Sequence, residues 1–280
     1  MKRILFCCLC LGVLMNSILQ ADMTGTTREP DFRAIYKTVN GRSLWLHCFE
    51  PRNAASSERP VILLVHGGGW TRGYPAIFFP MAERLSAMGF VVACVEYRLL
   101  DTHQHGASVF DAVADVQDAM SYLRMDSARL RIDPNRIDIA GASAGGHLAI
   151  GTALFEDYRE VNRSASFRPD AVILFNPVID TSEAGYGHAK LGSDWQTLSP
   201  LHRVHSKMPP TLLFHGQADG TVPFAGARAF QASMLAHGNT CDFFPNQNGN
   251  HGYYRKSPVY EETLDTVYAF ALRQGLLAKL

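Results

Sequence analysis

The sequence of 280 residues predicts an α/β fold with a mainly parallel, eight-stranded sheet flanked by helices. Short apolar runs, typical of strands buried on both faces, alternate with longer segments of helical periodicity. The first two β-like runs are joined by Asn40-Gly41, a strong two-residue hairpin signal that predicts an antiparallel edge. No repeat, low-complexity tract or linker divides the chain, so we expect one domain from residue 22 to residue 280.

The first residues have the pattern of an export signal. A basic start, Met1-Lys2-Arg3, precedes the apolar run Ile4 to Leu14, which is too short to span a membrane. Leu19-Gln20-Ala21 supplies a small residue for cleavage, so residues 1–21 are predicted to be a signal peptide. We therefore expect a secreted or periplasmic protein that makes no membrane contact after cleavage. The alternative is an uncleaved segment that stays as a membrane anchor.

Composition and charge exclude several classes of partner. The chain has 47% hydrophobic and 19% charged residues, as in an ordinary globular protein with a sizeable core. Lys plus Arg equals Asp plus Glu, 26 of each, which favours neither nucleic acid nor an anionic membrane. Such neutrality fits a small or uncharged substrate.

The cysteines indicate neither a disulfide framework nor a metal site. Cys48, Cys94 and Cys241 allow at most one disulfide, and Cys94 lies in an apolar run where a thiol behaves as a small hydrophobe. No Cys-x-x-Cys or His-x-x-x-His spacing suggests a metal, and we expect no cofactor. Three N-terminal cysteines lack the Leu-small-small context of lipidation: Cys7, Cys8 and Cys10.

Along the chain, strands and helices follow in alternation. Eight strands are predicted at Phe32–Val39, Ser43–Glu50, Val61–Val65, Phe90–Val95, Arg136–Ala140, Ala171–Phe175, Thr211–Phe214 and Cys241–Phe244. Helices are predicted at Pro75–Met88, Val109–Leu123, Gly146–Leu154, Ala225–His237 and Tyr260–Leu277. Asp133-Pro134-Asn135 is predicted to turn the chain into the fifth strand, and Asn176 to Pro210 forms an irregular insertion, with its body at residues 177–208.

A candidate nucleophile follows the fifth strand. Gly141-Ala142-Ser143-Ala144-Gly145 matches the G-x-S-x-G pattern of a nucleophile elbow, and a small, apolar helical segment comes next. The turn from strand to helix is so tight that its flanking positions cannot carry large side chains. The serine at its apex is held in a strained conformation with its hydroxyl above the sheet.

A glycine-rich loop follows the third strand. The three consecutive glycines of His66-Gly67-Gly68-Gly69-Trp70 leave backbone N–H groups uncovered at the carboxyl end of a buried strand. In acyl transfer the carbonyl oxygen becomes negative, and each donor placed around it is worth about 3–4 kcal/mol. The alternative is a loop whose glycines serve only a tight strand-to-helix passage.

The candidate base and acid lie downstream of the serine. Asp219 comes directly after the seventh strand and His251 after the last strand, so both lie at carboxyl ends, as the serine does. A serine hydroxyl needs a base to remove its proton, and that base needs an orienting carboxylate. The order Ser143, Asp219, His251 is the one that this architecture uses. Competing side chains are the histidines His66, His147 and His215 and the acids Asp180, Asp194 and Asp242.

Five motifs together carry a resemblance to a known family: His66–Trp70, Glu96–Leu99, Asp133–Ile137, Gly141–Gly146 and His215–Asp219. Over about residues 32–275 the sequence resembles the α/β-hydrolase esterases of the hormone-sensitive-lipase type, nearest to bacterial acetyl-esterase or feruloyl-esterase-like (BD-FAE-like) enzymes.

The resemblance implies an oxyanion hole and a structural polar cluster. The oxyanion hole would be formed by Gly68, Gly69 and the N–H of Ala144. Tyr97 and Arg98 would form the cluster with an aspartate of the next helix, Asp111 or Asp115. The sequence departs from the family in two places: no long helical cap precedes the first strand, so a minimal cap is expected, and the Asp101 to Gly106 loop lacks the usual proline-rich approach.

The insertion is the one segment long enough to roof the site. Its ring-bearing residues are Tyr186, His188, Trp195 and His202. Trp195 either stacks on a sugar or aryl group or packs the insertion onto the body, whereas Trp70 is expected to line the acyl side.

The sequence thus predicts a secreted serine carboxylesterase for short acyl esters, acetyl esters above all, whose substrate is a small molecule or is linked to a polysaccharide. The alternatives are an arylformamidase or a peptidase with the same triad, and a non-catalytic binding protein. The sequence does not indicate an oligomeric state.

Overall fold

The computed structural model describes residues 28–52, 58–100, 106–162 and 164–277. The predicted signal peptide, the three N-terminal cysteines and most of the Asp101 to Gly106 loop lie outside the described residues. In the described part of the chain, no helix has the length and apolarity that a membrane crossing requires.

One eight-stranded sheet organises the molecule, with the strand order β1-β2-β4-β3-β5-β6-β7-β8. β1 and β2 pair in antiparallel fashion, as do β2 and β4, and every other pairing is parallel. The predicted α/β-hydrolase fold, with its mainly parallel sheet, is confirmed. The strands are β1 Phe32–Val39, β2 Arg42–Phe49, β3 Arg59–Val65, β4 Val91–Val95, β5 Ile132–Ala142, β6 Val172–Phe175, β7 Thr211–Gly216 and β8 Cys241–Asn246.

Helices cover both faces of the sheet and divide the core in two. The longer helices are α1 Phe79–Ala87, α2 Val109–Met125, α3 Ala144–Leu154, α4 Phe224–Ala236 and α5 Val259–Arg273. Side chains of α2, α3 and α4 pack in one apolar cluster, whereas those of α1 and α5 pack in the other. Single helical turns lie at Pro75–Phe78, Ser127–Leu130, His188–Leu191, Gly192–Trp195, Pro200–Arg203 and Tyr253–Arg255.

Local sequence determines where the first hairpin turns and how β5 begins. Asn40 and Gly41 both have positive φ, 49° and 78°, as a tight hairpin with the right-handed strand twist requires. β5 begins before the predicted turn at Asp133-Pro134-Asn135, because Ile132 already pairs with Arg59 of β3. The next pair is Ile137 with Val61, so the turn is a bulge within the strand rather than its boundary.

An ionic network with a buried centre, the Lys37 cluster, lies between β1, the end of β4, α2 and the segment after α3. Its members are Lys37, Arg98, Asp111, Asp115, Asp118 and Glu160. The Lys37 ammonium lies 2.7 Å from Asp115, 2.8 Å from Asp118 and 2.7 Å from Glu160. Burial lowers the pKa of Lys37, but the charge and hydrogen bond of Asp115 more than offset this, so that the pKa is raised. The polar cluster implied for Arg98 includes both Asp111 and Asp115, at 2.8 Å each.

The three remaining cysteines, Cys48, Cys94 and Cys241, are all free thiols and all buried. Burial raises the pKa of Cys48 and of Cys241 to about 12, so both stay neutral. They are therefore small apolar side chains of the core, as expected for Cys94.

Candidate active site

Ser143 lies between β5 and α3 in a strained backbone conformation. Its φ of 56° and ψ of −122° are values that non-glycine residues rarely adopt. The flanking glycines are required by contact: a Cβ on Gly141 would lie 2.3 Å from the carbonyl oxygen of Gly145. A Cβ on Gly145 would lie 2.1 Å from the carbonyl oxygen of Val65. The close passage of α3 over the strand ends is what lifts Ser143 above the sheet.

The structure brings the three predicted residues of the triad together. His251, in the loop after β8, lies with Nε2 3.1 Å from Ser143 Oγ and Nδ1 2.8 Å from Asp219 Oδ2. Because an ionised carboxylate only accepts, Nδ1 carries the proton toward Asp219, and Nε2 accepts from the Ser143 hydroxyl. This is the arrangement in which an imidazole can act as a general base toward a serine.

Asp219 is held as an anion by donors on several sides. Its Oδ1 accepts from the backbone N–H groups of Thr221 and Val222, at 2.8 and 2.9 Å. Its Oδ2 receives His251 and lies 3.3 Å from Nε2 of His215. Burial raises the pKa of Asp219, but hydrogen bonds from His215, His251 and the Val222 amide outweigh it and hold the pKa well below its usual range.

The predicted glycine loop faces the serine at close range. A Cβ on Gly67 would lie 3.1 Å from the Ser143 Cβ and 2.9 Å from the carbonyl oxygen of Ala142. Gly68 and Gly69 have positive φ values of 126° and 63°, which residues with a side chain rarely adopt. Only a residue without a side chain fits against Ser143 in this way.

The three donors predicted for an oxyanion are free to act. In the described part of the chain, no recorded backbone bond uses the N–H of Gly68 or Gly69. Ala144 is the first residue of α3, where the N–H has no partner within the helix.

Two residues of the insertion, Tyr186 and Lys190, lie on the glycine loop. The Lys190 ammonium donates to the carbonyl oxygen of Gly69 at 3.0 Å and lies 3.4 Å from the Tyr186 hydroxyl. Sequence reasoning placed Tyr186 in a roof but missed Lys190, since a surface lysine in an irregular segment carries no signal of its own.

The predicted role of Trp70 is wrong. Its side chain is fully buried, packs edge-on against His147 at 5.1 Å, and is absent from the described lining of the cavity beside Ser143. The reason is its φ of 63°, a left-handed conformation that turns the indole inward beneath Gly187. Trp70 is therefore a core residue that supports the loop from below.

Trp195 is also absent from the described cavity lining. Its ring packs against His202 at 5.3 Å and His188 at 5.9 Å and contacts the larger apolar cluster. Of its two predicted roles, the structure supports packing of the insertion onto the body.

Most of the competing histidines and acids have other partners. His66 Nδ1 lies 2.8 Å from the carbonyl oxygen of Gly67, and His147 Nε2 lies 2.7 Å from that of Leu198. Burial lowers the pKa of His66 and of His147 to about 4. Asp242 pairs with Arg273 at 2.7 Å. Among the described acids, only Asp219 is recorded as a hydrogen-bond partner of His251.

Asn176 is a further residue of the site that sequence reasoning missed. It follows β6 with a φ of 37°, and its Oδ1 accepts from the N–H of Gly252 at 3.2 Å. Its Nδ2 lies 3.4 Å from His251 Nε2. The available signal was an asparagine at the carboxyl end of a buried parallel strand, the edge where the other site residues lie.

A cavity of about 820 Å³ opens above Ser143. Its described walls come from the glycine loop and the segment after it, the ends of β5 and β6, the insertion, and the loops after β7 and β8. The lining residues are Gly67, Gly68, Gly69, Thr71, Arg72, Gly73, Tyr74, Ile77, Phe78, Ala142, Ser143, Asn176, Tyr186, Lys190, Thr221, His251, Gly252, Tyr254 and Arg255. No group of three potential metal ligands occurs among the described residues.

Several sequence relatives of the chain are esterases. The chain is 27% identical over 224 residues to Esterase LipQ of Mycobacterium tuberculosis, a match that covers 72% of this chain and 52% of the relative. It is 30% identical over 263 residues to an acetylxylan esterase of Xylanibacter ruminicola, covering 86% of this chain and 50% of the relative. The chain thus spans about half the length of the curated relatives that it matches.

Solved structures extend the likeness over nearly the whole of another chain. Esterase 2 of Thermogutta terrifontis, phosphoramylated by tabun, superposes with a TM-score of 0.83 at 34% identity, covering 89% of this chain and 96% of that one. The propionate-bound form gives a TM-score of 0.81 at 33% identity with the same coverage. The model of the BD-FAE family matches residues 46–234. The chain therefore belongs to the BD-FAE family, among the α/β-hydrolase esterases of the hormone-sensitive-lipase type.

Proposed function

We propose that the protein is a secreted serine carboxylesterase that hydrolyses short-chain acyl esters, acetyl esters above all, through an acyl-enzyme. One observation carries the proposal: a single imidazole, that of His251, bridges Ser143 Oγ and Asp219 Oδ2 at 3.1 and 2.8 Å beneath an open cavity. An imidazole held in this way can take a proton from the hydroxyl and return it to a leaving group.

Acylation begins when Ser143 Oγ attacks the ester carbonyl and His251 Nε2 takes the hydroxyl proton. The carbonyl oxygen becomes an anion, which accepts from the N–H groups of Gly68, Gly69 and Ala144. Asp219 keeps the imidazole oriented and stabilises its positive charge, but remains ionised. The imidazolium then gives its proton to the alcohol oxygen as the bond between carbonyl carbon and alcohol breaks.

Deacylation repeats the same steps with water. His251 removes a proton from a water molecule, the hydroxide attacks the acyl carbon, and the same N–H groups hold the second oxyanion. Ser143 leaves with the proton carried by His251, and the carboxylic acid is released. No group beyond these side chains and backbone donors is needed to balance the reaction.

The cavity favours a short acyl chain. A long chain gains about 0.8 kcal/mol for each methylene group that it buries, but only against apolar walls. Among the described lining residues, the large side chains with apolar surface are Ile77 and the aromatic rings of Tyr74, Phe78, Tyr186 and Tyr254, and nearly all of the others are glycines or polar residues. Propionate-bound esterase 2 and the acetylxylan esterase among the relatives support the same range of chain length.

Export and a polysaccharide substrate remain parts of the proposal. The basic start and apolar run of residues 1–21 support secretion or a periplasmic location. An exported esterase with an open cavity can reach acetyl groups on a polymer, and the acetylxylan esterase among the relatives supports that class.

The test compares the wild-type protein with Ser143→Ala on nitrophenyl acetate and butyrate, acetylated xylan, a formanilide and a peptide. We expect acetate to be hydrolysed faster than butyrate, acetate to be released from the xylan, and Ser143→Ala to be inactive on all of them. Thermal unfolding of both proteins serves as the control for the fold. Faster cleavage of the formanilide or peptide would favour the arylformamidase or peptidase alternative, and undiminished turnover by Ser143→Ala would exclude Ser143 as the nucleophile.

A further inference from the structure

The cavity above Ser143 carries charge of one sign. Its described lining includes three cations, Arg72, Lys190 and Arg255, but no aspartate or glutamate. The whole chain is neutral, with 26 basic and 26 acidic residues, so this bias is local and composition does not predict it. A cleft lined by one sign of charge concentrates ligands of the opposite sign.

None of the three cations has an ion pair with a described carboxylate. Elsewhere on the molecule, arginines such as Arg98 and Arg124 are held by carboxylates at 2.8 and 3.1 Å. Among the described residues, the Lys190 ammonium hydrogen-bonds only to the Gly69 carbonyl oxygen and the Tyr186 hydroxyl, which are both uncharged. The positive charge of the cavity is therefore not neutralised by the described side chains around it.

The cations lie on two sides of the reacting centre. On the side of the glycine loop, Cγ of Arg72 lies 3.2 Å from the position that a Cβ on Gly68 would take. On the other side, Cδ of Arg255 lies 3.4 Å from the corresponding position on Gly252, the residue after His251. Arg255 is thus the cation beside the loop that carries the catalytic imidazole.

The chemistry of ester cleavage identifies which part of the substrate meets Arg255. The alcohol oxygen receives its proton from His251 Nε2, so the alcohol portion must leave past the His251 loop. A guanidinium that stands next to this loop is placed to bind an anion on the alcohol, and its planar donors match a carboxylate. The acyl portion lies on the far side of the carbonyl carbon from this path.

We propose that the preferred substrates are esters whose alcohol or phenol portion carries a carboxylate, bound by Arg255. This inference rests on the proposed esterase function and adds the charge of the leaving group to it. An anionic substrate differs from the uncharged one that the zero net charge of the whole chain favours.

The kinetic test uses a matched pair of phenyl acetates. 4-Acetoxybenzoate carries the carboxylate on the leaving group, and 4-acetoxybenzamide replaces it with a neutral amide of similar shape. The ratio of their kcat/KM values in a variant, divided by that ratio in the wild type, cancels their different intrinsic reactivity. We expect Arg255→Gln to lower the ratio about tenfold and Arg72→Gln to lower it less. Added salt should lower the wild-type ratio by screening.

Arg228→Gln is the matched control, because Arg228 is an exposed arginine on α4 outside the described cavity lining. It should leave the ratio unchanged. A ratio unaffected by Arg255→Gln would overturn the proposal, whatever the effect of Arg72→Gln. A second comparison uses monophenyl succinate, which carries its carboxylate on the acyl portion, and its neutral amide. If the enzyme prefers monophenyl succinate over this amide more strongly than it prefers 4-acetoxybenzoate over 4-acetoxybenzamide, the anion belongs to the acyl portion and the proposal is overturned.

Binding to Ser143→Ala separates this inference from the proposed function. Calorimetry with intact 4-acetoxybenzoate needs no turnover, and we expect binding about tenfold tighter than that of 4-acetoxybenzamide, a difference lost in Ser143→Ala/Arg255→Gln. Charge-dependent binding without hydrolysis by the wild type would leave the anion site intact and reject the esterase. Hydrolysis without any charge preference would support the esterase function and reject the anion site.

Discussion

Two regions of this molecule hold acids and bases at hydrogen-bond distance, yet only one can do chemistry. In the Lys37 cluster, the ammonium and the Asp115 carboxylate lie 2.7 Å apart, with 1% and 0% of their side chains exposed. In the active site, His251 and Asp219 lie 2.8 Å apart, with 27% of the histidine exposed to the cavity. The distances are nearly equal, so distance alone does not distinguish the two regions.

The two regions differ in whether the base keeps a nitrogen that can still exchange a proton with another group. The Lys37 ammonium has three donors and meets three carboxylates, so the cluster is saturated. The imidazole of His251 uses Nδ1 on Asp219 and keeps Nε2 for Ser143, at a surface that a substrate can reach. The catalytic pair thus leaves one ring nitrogen of the base available to take a proton from the nucleophile, whereas the structural network leaves no donor of Lys37 available.

The largest expected effect comes from Asp219→Asn. An amide can present its N–H to Nδ1, which would place the imidazole proton on Nε2 and prevent it from accepting the Ser143 proton. We expect kcat to fall by about 10⁴. The measurement is nitrophenyl acetate hydrolysis, with Asp194→Asn, an exposed competing acid, as the control. Full activity of Asp219→Asn would show that the imidazole is oriented by another group.

In the Lys37 cluster, the same change of an aspartate to asparagine should lower the stability of the fold rather than the activity. Asp115→Asn removes a fully buried charge that both Lys37 and Arg98 contact, and leaves those cations partly uncompensated. We expect the free energy of unfolding to fall by about 3–5 kcal/mol, measured by urea denaturation, with kcat of the folded protein retained.

Asp126→Asn is the matched control, since its pair with Arg129 is exposed and worth less than about 1 kcal/mol. A large loss of kcat in folded Asp115→Asn would break the distinction between the two regions.

His147 extends the comparison to a buried base that has no carboxylate partner in the described part of the chain. Its Nε2 has one hydrogen-bond partner among the described residues, the carbonyl oxygen of Leu198. Burial lowers its pKa to about 4, whereas an unfolded histidine titrates near 6.5. As pH falls from about 6.5 to 4, the unfolded chain binds the proton first, so the free energy of unfolding decreases by up to about 1.4 kcal/mol per pH unit. His147→Gln should reduce this slope.

Urea denaturation between about pH 5 and 7 measures the slope. His237→Gln, at an exposed histidine after α4, should retain the slope of the wild type. A slope equally steep in His147→Gln would mean that His147 binds its proton at the same pH in the folded and the unfolded chain.

Much of the fold and the central site could be predicted because their signals are local. The central strands contain short apolar runs, and Ser143, Asp219 and His251 each follow a strand at the same edge of the sheet. The glycines beside Ser143 are fixed by contacts a few residues away in sequence or on the adjoining strand. Parallel pairing then brings these segments together without further information.

The remainder depends on which way a side chain turns and on packing between distant segments. Trp70 adjoins the glycine loop in sequence, but its positive φ directs the indole into the core. Lys190 reaches Gly69 across 121 positions of sequence, from an insertion without periodicity. Asn176 meets His251 only because β6 and the loop after β8 end at the same place. None of these contacts leaves a pattern in the sequence.

The central claim is that Ser143 is the nucleophile made reactive by His251. Mass spectrometry after treatment with a fluorophosphonate tests it most directly, because the reagent reacts covalently with an activated serine. We expect one adduct per chain, on the peptide that contains Ser143, with loss of activity in proportion to labelling. We expect no adduct on Ser143→Ala. An unlabelled Ser143 in active protein, or an adduct on another residue that abolishes hydrolysis, would contradict the account.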